Sequence, residues 1–140
     1  MRNKAFLPLM EQILMIAVFA IAAAICLHGF TMANSISKER SDLDAAVYLA
    51  QDTCEILKHT GGDMEKAAGL TGGTADGDTL VIYYDQNKNT TDADSAVYEV
   101  VSHRTQAQNG IGQAQVLVST NGKDLFSLTV AWQEDDHERE

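Results

Sequence analysis

Positive charge is scarce in this chain. Its 140 residues carry 10 Lys and Arg against 20 Asp and Glu, a formal net charge of −10. That excludes the basic face a nucleic-acid binder uses to displace counterions from phosphates, so no nucleic acid is expected as a direct ligand. Cysteine occurs only twice, which excludes a disulfide scaffold. The single proline and ten glycines exclude Pro-rich and collagen-like chains. Signatures of chemistry are missing as well. There is no nucleophile elbow, no phosphate-binding glycine loop and no H-E-x-x-H pattern. The glycine pairs at 61–62 and 72–73 lack the Lys-Ser/Thr that a phosphate loop requires. His28, His59, His103 and His137 are scattered without metal-ligand spacing. The residues therefore predict no enzyme and no cofactor.

What is present is unevenly spread. Residues 5–30 read AFLPLMEQILMIAVFAIAAAICLHGF, with Glu11 as the one formal charge. From Ile13 to Leu27 every residue is apolar. About 20 mostly apolar residues span a bilayer as a helix. Arg2 and Lys4 precede the span, and 19 of the 20 acidic residues follow it. By the positive-inside rule this predicts a single-pass cell-membrane protein, N-terminus cytoplasmic and C-terminal domain extracytoplasmic. The rival is a cleaved secretory signal, which needs a small-x-small site. Thr31-Met32-Ala33 is a poor match, and Ala23-Ala24-Ile25-Cys26 has Ile25 where a lipoprotein site has a small residue.

From Thr31 to Lys58 there is no proline and no glycine. Apolar Ile36, Leu43, Val47, Ala50, Cys54 and Leu57 recur at helical steps, with Lys38, Arg40, Asp42, Asp52 and Glu55 opposite. Gly61-Gly62 supplies a stop. One helix over 7–59 is about 80 Å long at 1.5 Å per residue, with Gly29 as the expected bend. Asp63 then caps a short helix over 63–68. A loop, TGGTADGD, follows. β-Branched and aromatic runs predict strands at 79–84, 96–102, 113–120 and 125–132, the last two flanking the hairpin signal Asn121-Gly122. A plain two-residue turn sets Leu117 opposite Phe126, yet Phe126, Leu128, Val130 and Trp132 need Val116 and Val118 on their face. A bulge, or burial on both faces, reconciles this.

The fold class predicted is α+β: a long N-terminal helix, half membrane and half amphipathic, packed on a roughly four-stranded antiparallel sheet. The organisation is a basic cytoplasmic leader over 1–5, a transmembrane helix over 6–30, an amphipathic extension over 31–60, an extracytoplasmic β domain over 61–133 and a frayed acidic tail over 134–140. Cys26 and Cys54 stand about 42 Å apart along such a helix, beyond disulfide reach. Cys54 reads as a buried free thiol and Cys26 as a small membrane residue. Asp85, Asn87, Asn89, Asp92 and Asp94 place oxygen side chains as an irregular calcium loop would. Thr90 and Ala96 stand where an EF-hand has Gly and Glu, and a polar turn is the favoured reading.

The chain resembles the type IV pilin and pseudopilin family in three ways. A short basic leader precedes Ala5-Phe6-Leu7-Pro8-Leu9-Met10-Glu11. A helix of about fifty residues is half apolar and half amphipathic. An antiparallel sheet follows a glycine-rich connection. The resemblance implies cleavage of the leader by a prepilin peptidase at Ala5, Phe6 or Leu7. Cutting after Ala5 leaves Phe6 first and Glu11 sixth; cutting after Phe6 leaves Leu7 first and Glu11 fifth. It also implies that Glu11 meets the N-terminal amine of a neighbouring subunit and sets axial register. The alternative is that Glu11 lies at the headgroup level. Ala17, Ala20 and Ala24 form a small-residue stripe suited to close helix packing in lipid. The implied partners are the membrane and other pilin-like subunits, or the machinery of a type IV pilus, type II secretion or DNA-uptake apparatus. A membrane-anchored binding or sensing domain that does not assemble is the competing expectation.

Overall fold

The computed structural model describes residues 4–134, which form two compact units, one up to Arg40 and one from Ser41 onward. Helix α1, Phe6–His59, begins in the first unit and ends in the second. Pro8 is its third residue, inside the first turn, where a missing N–H leaves no bond unmade. Gly29 lies within unbroken helix, and every residue from Lys4 to Ser41 is exposed.

In the second unit, α1 ends where the glycines predict. Gly62 N–H donates to the Leu57 carbonyl at 2.8 Å and Gly61 N–H to the Lys58 carbonyl at 3.2 Å. This paired closure needs a left-handed residue, which Gly61 supplies at φ 61°. Helix α2, Met64–Thr71, follows at once, its N-cap Asp63 accepting from Lys66 N–H at 3.1 Å. That bond and the Lys66 ammonium hold the Asp63 carboxyl below its ordinary value.

Five strands complete the unit: β1 Thr74–Asp76, β2 Thr79–Tyr84, β3 Tyr98–Gln108, β4 Ile111–Thr120 and β5 Lys123–Gln133. They form one antiparallel meander in chain order. The additional strand is β1, three residues of the expected loop, folded back by a two-residue turn with Gly77 at φ 57°. Asn109-Gly110 closes β3 onto β4 with both residues at positive φ, as Asn121-Gly122 closes β4 onto β5. Both have the turn chemistry that matches strand twist.

The sheet has one apolar face. Leu80, Ser102, Val116 and Leu128 form one cross-strand row, and Ile82, Val100, Val118 and Phe126 the next. A bulge resolves the hairpin register. Thr120 and Ser119 pair with Lys123 and Asp124, then Val118 pairs with Phe126, so Leu125 is the extra residue. Leu117 faces Ser127, not Phe126.

The last third of α1 joins that face in one core. Its buried residues are Ala45, Ala46, Leu49, Ala50, Thr53, Cys54 and Leu57. The expected stripe is thus corrected at its start: Ile36 and Leu43 stay over 40% exposed, and the cover begins at Ala45. Ala46 and Ala50 are fully buried. Leu49 and Leu57 are buried with them, each contributing about 1.5–3 kcal/mol by burial. Thr53 is accommodated by donating its hydroxyl to the Leu49 carbonyl at 2.8 Å.

Candidate functional site

The first candidate is the exposed part of α1. Among the described residues this is the one helix long and apolar enough to cross a membrane, and none of its most apolar stretch is buried. That is compatible with a single-pass anchor. Phe6, Leu7, Leu9, Met10, Ile13, Leu14 and Phe19 are each more than half exposed. Ala5 stands just before the helix, and Phe6 and Leu7 open it. Glu11 is exposed, five residues in, so its carboxylate lies beyond the first turn.

Helical geometry separates two of the expected features. At about 100° per residue, Glu11 shares a face with Leu14, Met15, Val18 and Ala22. Leu14, Met15, Val18, Phe19 and Ala22 form a continuous exposed apolar surface there. Ala17, Ala20 and Ala24 cluster on another side, more than a quarter turn from Glu11. The carboxylate and the alanine stripe therefore cannot serve the same face-to-face contact.

A second cluster lies where α1 ends, and only parts of it were legible in the sequence. Trp132, at the end of β5, packs against Gly62 and Gly112 so closely that a Cβ at either would collide with its ring. The Arg104 guanidinium lies over the same ring, 5.9 Å from its centroid, and forms an ion pair with Glu134. Glu134 N–H donates to the Gly110 carbonyl at 2.9 Å. Glu134 is thus tied down, a correction to the expectation of a tail frayed from that residue. The rest of the expected tail, 135–140, lies outside the described residues, as do residues 1–3 of the leader. Among the described residues the Trp132 indole nitrogen finds no hydrogen-bond partner, and neither does the buried Ser102 hydroxyl. The stop at Gly62 and a core role for Trp132 are readable from residue type. Their contact, and the recruitment of Arg104, depend on strand register.

The 85–94 loop is built as a turn. The Asp85 carboxylate accepts from the N–H groups of Asn87 at 2.8 Å and Asn89 at 2.9 Å, and Lys88 adopts φ 65°. Asn87, Asn89, Asp92 and Asp94 are exposed. Among the described residues no group of three or more His, Cys, Asp or Glu side chains is placed to hold a metal. Lys88 instead places its ammonium 4.7 Å from the Tyr48 ring centroid on α1. Asp42, also on α1, accepts from the Tyr98 hydroxyl at 2.9 Å. Burial first, then this bond and the Asp42 charge, push the Tyr98 phenol up to about 12.

Both cysteines are free, Cys26 exposed and Cys54 buried. Burial raises the Cys54 thiol, partly offset by Lys58, and keeps it protonated and inert. His103 bonds Thr79 through Nδ1 at 3.1 Å. It lines a shallow depression of about 700 Å³ with Asp78, Arg104, Thr105 and Gln106. Comparison with protein-family models, curated proteins and solved structures found no match to this chain.

Proposed function

We propose that this protein is a non-enzymatic, membrane-anchored subunit or accessory protein of the pilin or pseudopilin kind, working in a pilus, secretion or DNA-uptake apparatus. One observation carries the reading: among the described residues every one from Lys4 to Ser41 is exposed, although the stretch holds the longest apolar run. Such a surface needs lipid or other helices around it. Arg2 and Lys4 before the span orient the N-terminus to the cytoplasm. The sheet domain then faces outward with its excess of acids.

The two separated faces assign separate roles. The alanine side admits a neighbouring helix closely, since packing drives association in lipid. The Glu11 side carries a carboxylate that is expensive in hydrocarbon unless it meets a cation or water. A neighbouring subunit's N-terminal amine, released by leader cleavage, is the cation that fits. Cleavage at Ala5 or Phe6 brings the new amine within about two turns of Glu11 along the sequence.

N-terminal sequencing of protein purified from membranes containing a prepilin peptidase tests the reading. A new terminus at Phe6 or Leu7 is expected. An intact Met1, or a cut at 31–35, would sink the assembling model and leave a plain anchored domain or a cleaved signal.

A further inference from the structure

We infer that a hollow on the outer face of the sheet, lined by Tyr83, Glu99 and Ser119, receives the side chain of a lysine from a partner protein. The core takes the opposite face, where Tyr84, Tyr98 and Val118 are buried. Their chain neighbours Tyr83, Glu99 and Ser119 face the other way. They stand in one cross-strand row, Tyr83 paired with Glu99 and Glu99 with Ser119. Opposed side chains in such a row start about 4.5–5.5 Å apart. The 93–97 segment and the Asn121-Gly122 turn complete a hollow of about 170 Å³. A pocket for a drug-sized molecule holds about 300–1,000 Å³, so this one suits a single side chain.

The polar groups in the hollow are unused. Elsewhere on the sheet His103 bonds Thr79, Tyr98 bonds Asp42, Thr120 bonds the Val97 carbonyl and Arg104 pairs with Glu134. Among the described residues the side chains of Tyr83, Glu99 and Ser119 make no such bond. Ser119 is only 9% exposed although it faces away from the core, and it lines the hollow. Glu99 is half-buried there, and a carboxylate drawn from water without a partner is costly. Asp124, opposite Ser119 on β5, adds a second negative charge beside it. The occupant is therefore a cation. A carboxylate, a hydroxyl and a phenol oxygen match the three N–H donors of an ammonium, whereas a guanidinium directs a rigid planar fork at one carboxylate. The next cross-strand row, Val81, Val101 and Leu117, is half-buried and apolar. Lysine lays its methylene stem on such a surface while its charge reaches polar groups. This row extends the contact beyond one amine, which favours a lysine within a protein chain over a free amine. The inference stands apart from the pilin-like reading and needs neither leader cleavage nor Glu11.

Titration of the full chain in detergent with the capped peptide Ala-Val-Lys-Val-Ala, followed by backbone amide chemical shifts, tests it. A saturable shift is expected at Glu99, Ser119 and Gly122. Glu99→Gln should weaken the affinity about tenfold and Ser119→Ala about threefold. Glu55→Gln, which removes the same charge from an exposed position on α1, should leave it unchanged. Unchanged melting temperatures check that the variants fold, and Tyr83→Phe, which keeps the ring, should weaken binding by itself. The absence of a saturable shift overturns the inference, as does equal weakening by Glu55→Gln or equal affinity for the arginine counterpart of the peptide. Equal affinity for n-butylammonium overturns it too, by assigning the hollow to a free amine.

Discussion

Leu14 and Leu49 belong to one helix and meet opposite surroundings, one 66% exposed and the other 1%. Up to Phe30, α1 is apolar on nearly every side, so no face is marked for a core. From Ala45 to Leu57 the inward positions are mostly small or apolar and the outward ones are Tyr48, Gln51, Asp52 and Glu55, which matches one face of a sheet. Hydrophobicity alone does not decide burial within the chain. A defined stripe does, when an element of complementary shape lies beside it. The uniformly apolar half is suited to a uniformly apolar solvent.

The sharpest way to break that contrast uses one glycine inside α1 and one just past its end. Gly62 has φ 78° and the Trp132 ring over it, whereas Gly29 has open space around its Cα. Gly62→Val is expected to destabilise the sheet domain by about 4 kcal/mol or more, through strain and overpacking together. Gly29→Val should leave its unfolding midpoint unchanged. Denaturant unfolding of the two variants in detergent checks both.

A smaller difference is expected from the leucines. Leu49→Ala opens a cavity under the sheet and should remove about 3 kcal/mol. Leu14→Ala should leave the domain's midpoint where it was. Equal losses would mean that the exposed half is part of the same core after all.

The smallest effect lies in the polar contact beside the stripe. Tyr98→Phe removes the donor to Asp42 and should lower stability by about 1 kcal/mol. Its pH dependence has a definite sign. The folded phenol titrates at about 12, above its ordinary value of 10, so the native state holds the proton more tightly. The stabilisation is complete below pH 10 and disappears as pH rises toward 12. Wild-type melting temperature should fall over that window more steeply than that of Tyr98→Phe.

The fold was legible where local chemistry leaves few choices. Gly61-Gly62 closes a helix, Asp63 opens the next, and Asn121-Gly122 turns a hairpin. Asn109-Gly110 carries the same signal, and reading it would have extended the two central strands to meet. The three residues of β1 were illegible because so short a strand is defined by its partner β2. The start of the helix cover was misplaced because Ile36 and Leu43 look like core, while Ala45 and Ala46 look like filler. Burial in the core shared with the sheet reverses that ranking. The exposed apolar residues of α1 are legible as a pattern in sequence, whereas the grouping of Gly62, Arg104, Trp132 and Glu134 depends on a register that includes a bulge.

Trp132 is the chain's one tryptophan, and it sits 7% exposed between the end of α1 and the last strand. In a meander, neighbours in space are mostly neighbours in sequence, so most contacts close short loops. The indole is an exception, tying the last strand back to a helix terminus far upstream. The molecule therefore contains its own fluorophore at a long-range closure. Its emission reports whether the final strand has docked, independently of helix content, which far-ultraviolet circular dichroism measures.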